Sequence, residues 1–166
     1  LAMWSTVSFS QEEDFNIWTR AALKIDLGSK SRLSVEEETR FYNNASQLGQ
    51  AHTEFGLSSD LASRLSGGVF YRFIYETDRS QTYSLGHRGW AQLDYLLVDQ
   101  DWEVSIRTRL QSTVMDYESS KNGKIPEWYS RNKLSCAYKP KGADWIPQAG
   151  AEFWYGIDQS GNPSFV

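Results

Sequence analysis

His52 and His87 are the two imidazoles of this 166-residue chain, and each stands near groups that could complete a hydrolytic set. His52 is two residues from Glu54, and in an extended chain residues two apart share a face, so the carboxylate could orient the ring. Ser84 precedes His87 and Arg88. A serine nucleophile, a histidine base and an acid would permit acyl-ester hydrolysis, the chemistry of a barrel-embedded, lipid-modifying hydrolase. Neither histidine lies in a nucleophile elbow. The competing role is structural, with both histidines hydrogen-bonded inside a network of charges in a barrel lumen. That role is preferred, so no catalytic residue is expected and the chain reads as a non-enzymatic protein.

Metal chemistry has less to stand on. In Glu36-Glu37-Glu38 the side chains alternate, so only Glu36 and Glu38 can converge, at most as a Ca²⁺ contact. Two histidines and the lone Cys136 make no ligand cluster. No metal and no other cofactor is expected. Arg107 and Arg109, followed in the next segment by Arg131 and Lys133, form a basic stripe. It could favour anionic solutes in a pore. Its other role, preferred here, is counter-charge for acidic strands.

The elements that must carry these residues are legible as period-two alternation. Phe15, Ile17, Ala21, Leu23, Ile25 and Leu27 oppose Arg20, Lys24 and Asp26; Leu33, Val35 and Phe41 oppose Arg32, Glu36, Glu38 and Arg40. Ala51, Phe55, Leu57 and Leu61 oppose His52, Glu54 and Asp60; Leu65, Val69, Tyr71, Phe73 and Tyr75 oppose Arg72 and Glu76. Leu85, Ala91, Leu93, Tyr95 and Leu97 oppose Arg88, Gln92 and Asp94; Trp102, Val104, Ile106, Leu110 and Val114 oppose Glu103, Arg107, Arg109 and Gln111. Trp128, Leu134, Cys136 and Tyr138 oppose Arg131, Lys133 and Lys139, and Ala151, Phe153, Tyr155 and Ile157 oppose Glu152. Gly67-Gly68 predicts a bulge or a close backbone approach. Gly28-Ser29-Lys30 and Asp99-Gln100-Asp101 are tight connectors, while 43–49, 77–84 and 119–127 are longer.

Eight antiparallel segments in an up-and-down meander fit either a lipocalin-like exported barrel binding an apolar ligand, or a transmembrane barrel. Segments of ~9–13 residues favour the second, since crossing a bilayer on a tilt takes ~9–11. The charges of opposite sign on neighbouring segments would then interlock as a lumen network of Arg20, Lys24, Glu36, Glu38, His52, Glu54, Arg72, Arg88, Asp94, Arg107, Arg109, Arg131, Lys133 and Glu152. Tyr42, Tyr75, Tyr95, Trp102, Tyr117, Trp128, Tyr138 and Trp154 fall near segment ends, where aromatic belts lie. One feature runs the other way. With a periplasmic N-terminus the first loop should be a long outer one, yet the first, third and fifth connectors are the short ones.

Composition agrees with export. Seventeen basic and 21 acidic residues give a net charge of −4 with no basic cluster, so no nucleic-acid partner is expected. No run of ~20 apolar residues is present to make a transmembrane helix. Cys136 has no second cysteine to pair with, so the fold does not rest on disulfides. Residues 1–10 are apolar with small Ser8 and Ser10, then switch to Gln11-Glu12-Glu13-Asp14, which reads as a signal-peptide remnant. The rest, 11–166, reads as a single barrel domain whose C-terminal strands are missing, since 159–166 stops on a loop leading into an apolar pair. The expected setting is the bacterial outer membrane, with its lipid as partner.

Four strings strengthen this as an ordered set: Asp14-Phe15-Asn16-Ile17-Trp18, Gly67-Gly68-Val69-Phe70-Tyr71-Arg72, Gly86-His87-Arg88, and Ser105-Ile106-Arg107-Thr108-Arg109-Leu110-Gln111. Over Phe15 to Ile157 the chain resembles domain of unknown function 2490 (DUF2490), an uncharacterised bacterial family frequent in Bacteroidota. The resemblance implies export and an outer-membrane barrel longer than this chain by several C-terminal strands. With 10–12 strands expected in all, the lumen would be filled by side chains, which points to a structural role or a narrow pore. It implies no catalytic residue.

Overall fold

The structure, a computed structural model, describes residues 15–77, 82–99, 101–115, 119–120, 123–124, 126–142, 145–157 and 163–165. The expected leader remnant and Tyr117 lie outside them. Alternating side chains and polar turns give eight long strands: β1 (Ile17–Leu27), β2 (Ser31–Tyr42), β3 (Gln47–Ala62), β4 (Leu65–Thr77), β5 (Tyr83–Asp99), β6 (Trp102–Met115), β9 (Glu127–Tyr138) and β10 (Gln148–Ile157). Between β6 and β9 a small hairpin is formed by β7 (Ser119–Ser120) and β8 (Gly123–Lys124), and β11 (Pro163–Phe165) adds a short last strand. All main-sheet neighbours are antiparallel and follow chain order, β1-β2-β3-β4-β5-β6-β9-β10-β11. The eight-strand meander is as read from the alternation. β3 and β5 reach 16 and 17 residues, beyond the lengths expected, because the ladder continues through turn-flanking residues. The sheet is not closed on itself: β1 and β11 are its edges.

The short connectors share one end of the sheet: 28–30, 63–64 and 100–101. In the first, Gly28 takes φ 80°, a conformation glycine adopts without penalty. The turn at 43–46 holds Asn43, Asn44 and Ala45 at φ 52°, 56° and 60°. Ser46 answers it, its amide and hydroxyl both donating to the Asn43 carbonyl at 3.2 and 2.5 Å.

Two features of the ladder matter for function. First, it staggers. Ile157, the end of β10, traces in register through Trp128, Ser112, Gly89, Tyr71, Phe55 and Val35 to Leu23, six residues in from Ile17 at the start of β1. A one-directional climb of six residues over seven strand steps corresponds to a tilt of roughly 30°, near that of closed barrels. Second, the two faces differ. Ile74, Trp90 and Met115, the buried apolar side chains of the described residues, all sit on the charged face, whereas Val69, Leu93, Leu134 and Phe153 on the other face are 58%, 51%, 47% and 68% exposed.

Bulges fall at Arg40/Phe41, Asp60/Ala62 and Leu96/Val98. The Gly67-Gly68 pair is regular, so no bulge forms there. The close backbone approach expected there is found at Gly68, where a Cβ would stand 2.8 Å from the Leu57 carbonyl oxygen.

Candidate functional site

The charged face is organised in register rows that cross the strands. One row runs Arg20, Glu38, His52, Ile74, Gly86, Met115. The next runs Glu36, Glu54, Arg72, Arg88, Thr113, Glu127. The third holds Lys24, Ser34, Gly56, Phe70, Trp90, Gln111 and Tyr129, and the fourth Asp26, Arg32, Ser58, Gly68, Gln92, Arg109, Arg131 and Trp154. Asp94, Arg107, Lys133 and Glu152 follow. Alternation places the whole predicted network on this one face.

Within it the charges interlock between adjacent strands. Arg20 meets Glu36 at 2.5 Å, Arg107 meets Asp94 at 2.7 Å, and Arg131 meets Glu152 at 2.9 Å. Arg72 binds Glu54, and Arg40 binds Glu38 within β2 at 2.7 Å. Glu36 and Glu38 are therefore each held by an arginine. Among the described residues, no group of three or more His, Cys, Asp and Glu is placed to hold a metal. Lys24 and Lys133 share the face without an ion-pair partner among those residues; Lys133 lies opposite Arg107, and Arg131 takes the carboxylate of Glu152.

The two histidines part company. His52 is buried on the charged face, as expected. His87 is not in the charge network expected for it: it lies on the apolar face, where its Nδ1 shares a hydrogen bond with Tyr71 Oη at 2.6 Å and its ring meets Phe73 edge-on. One residue of offset along a strand reverses the face, and Ser84 and Arg88 stand opposite to His87 for that reason. The Ser84 and His87 side chains thus diverge.

Sequence reasoning passed over the centre of the face, Trp90. Its ring stacks on Phe70 at 5.2 Å, with the guanidinium carbons of Arg72 and Arg109 at 5.6 and 5.0 Å from its centroid. Gly56 and Gly68 make room for Phe70. The signal was its even number in β5, the parity of Arg88 and Gln92. The same parity corrects Trp154, which was expected in an aromatic belt but packs under Arg131 on the charged face, 3.8 Å from ring centroid to guanidinium carbon. Other ring pairs do flank the sheet at its two ends, Tyr75 on Tyr83 at 5.2 Å and Trp102 on Tyr138 at 4.7 Å.

A cavity of about 330 Å³ opens on this face, lined among others by Arg40, His52, Arg72, Glu76, Arg88 and Glu127. Its lining spans β2 to β9. Those strands would lie ~24 Å apart in a flat sheet, so the sheet curves around its charged side. A second cavity, of about 450 Å³, lies toward the short turns and is walled by Asp26, Asp60 and Asp94 with Lys30 and Arg32.

A family model described as "Protein of unknown function (DUF2490)" matches residues 15–166. No curated protein and no solved structure matches the chain.

Proposed function

The chain belongs to the DUF2490 family, and on that premise we propose that it forms the wall of a transmembrane β-barrel in the bacterial outer membrane. The barrel encloses a polar interior and acts as a structural element or a narrow passage. One observation carries this reading: the apolar side chains are exposed on one face while the charged ones cover each other on the other. Water is a poor solvent for such a surface. A lone monomer tolerates a patch of only a few hundred Å², whereas here apolar side chains from Leu23 on β1 to Phe153 on β10 stand open. Each contributes ~1.5–3 kcal/mol once removed from water. Lipid is the medium that covers an entire curved sheet without a specific partner, and alternating strands with charges inside are what it requires. The climb of the ladder supports the same reading, because a stagger of one sign is what closure demands.

A barrel that holds an apolar ligand would turn Leu57, Val69 and Leu93 inward, whereas the proposed barrel turns them to lipid. The test is fractionation of cells expressing the protein, followed by gel migration with and without boiling. Recovery in the outer membrane with heat-dependent migration is expected. Recovery in the periplasmic fraction, migrating alike in both samples, would overturn the reading.

A further inference from the structure

Among the arginines of the charged face, two lack a carboxylate partner. Arg20, Arg32, Arg40, Arg72, Arg107 and Arg131 each hold a carboxylate. Arg88 and Arg109 do not. Arg88 donates from Nε to Thr113 Oγ1 at 3.1 Å, and Arg109 donates twice to Gln92 Oε1, at 3.1 and 2.6 Å. Both acceptors are neutral, and neither arginine has an ion-pair partner among the described residues.

Arg88 also faces Arg72 directly across the β4–β5 ladder. Like charges directly opposite in a sheet are destabilising, and a part-buried cation without a direct ion pair costs more than one in water, with only the more distant carboxylates of Glu76 and Glu127 to offset it. Both guanidinia line the 330 Å³ cavity, with Arg40, His52 and Thr113 on its wall. Two further donors nearby are buried without an acceptor: Trp90 Nε1 in the adjoining row and Ser84 Oγ, whose residue pairs with Glu76.

We propose that this cavity binds a small oxyanion, a carboxylate or phosphate group held between Arg88 and Arg72. Planar guanidinia grip such groups through paired N–H donors, and the volume is at the small-molecule end of ligand pockets. Glu76 and Glu127 on the same wall supply acceptors. The ligand that satisfies both sets is an acid whose other end carries hydroxyl or amino donors. The inference rests on reading the charged face as the interior of the barrel, but binding is measured apart from membrane insertion.

The test is calorimetric titration of inorganic phosphate and of glycerol phosphate into protein refolded in a neutral detergent, with sheet content verified by circular dichroism. Saturable binding is expected, tighter for glycerol phosphate. Arg88→Gln should weaken it at least tenfold, and Arg32→Gln, at the other end of the face, should leave it unchanged. Arg88→Met gives a readout that a purely structural role would not: without phosphate it melts at or above the wild-type temperature, since an unanswered charge has gone, and added phosphate raises only the wild type. Displacement of phosphate by short-chain phosphatidylglycerol would assign the anion to a lipid headgroup, and failure to displace it would assign it to a free solute; both support the site. No saturable binding of either probe to folded wild type, or equal affinity in Arg88→Gln, would overturn it. Loss of heat-dependent migration would instead strike the membrane reading, so the two can fail separately.

Discussion

Arg72 on β4 and Glu54 on β3 face each other across the ladder, and the guanidinium donates from both Nε and Nη2 to the same carboxylate oxygen, Oε2. Both side chains are mostly covered, at 25% and 16% exposure. With Arg88 on its other side, Arg72 has one neighbour that neutralises it and one that repels it.

Glu54→Gln therefore removes the neutralising neighbour and leaves two cations in register. We expect a loss of about 1–3 kcal/mol, less than the figure for a fully buried pair because some solvent reaches both groups. Glu54→Gln with Arg72→Met should recover most of it. Urea unfolding in micelles measures both; equal losses in the single and double variants would show that the pair is not coupled.

Gly56 lies between Ser34 and Phe70 in register, and a Cβ there would come within 2.5 Å of Phe70 Cδ1 and of Ser34 Oγ. Gly56→Ala should cost about 1–3 kcal/mol through overpacking. Adding Phe70→Leu should make the alanine less harmful than in the wild-type background. A double-mutant cycle by thermal unfolding reads that coupling, and additive effects would contradict it.

Leu57 and Ser58 are adjacent in β3 and point to opposite faces. Leu57→Arg puts a charge on the apolar side, where a lipid-facing position penalises it by ~2–4 kcal/mol near mid-membrane. Ser58→Arg enters the cavity walled by Asp26, Asp60 and Asp94 and should cost less than ~1 kcal/mol. Folding yield into phospholipid vesicles compares them. The opposite order would mean that the apolar side is the interior.

Ala45 holds φ 60° with no side-chain amide to compensate it. Ala45→Gly should raise stability by about 0.5–1 kcal/mol, and Gly28→Ala, at φ 80°, should lower it by a similar amount. Denaturation midpoints of the two variants should move in opposite directions.

Most of the meander was legible in the sequence because its signal is local. Alternation assigns Leu57 and Ser58, or Arg107 and Ile106, to faces without knowledge of any partner. Ladder register is not local, and it decides which groups come within reach: Arg20 lies opposite Glu38 and takes Glu36 on the diagonal, while Arg88 lies between Arg72 and Thr113 and so lacks an acid opposite it. Aromatic residues were the other limit. Trp90 was passed over and Trp154 was weighed by type, as a bulky group suited to a belt, although their even numbers give them the parity of Arg88 and Glu152. The β7–β8 hairpin is two residues on each side, too short for alternation to show.

A ladder in which each long strand is bound only to its neighbours in sequence has a hairpin as its natural unit of inheritance. Remove or duplicate one, and the strands left beside the join still run antiparallel, still advance in the same direction and still turn their charges to the same side. The width of the sheet can then change in steps of two strands, with the chemistry of its charged face passed on unaltered.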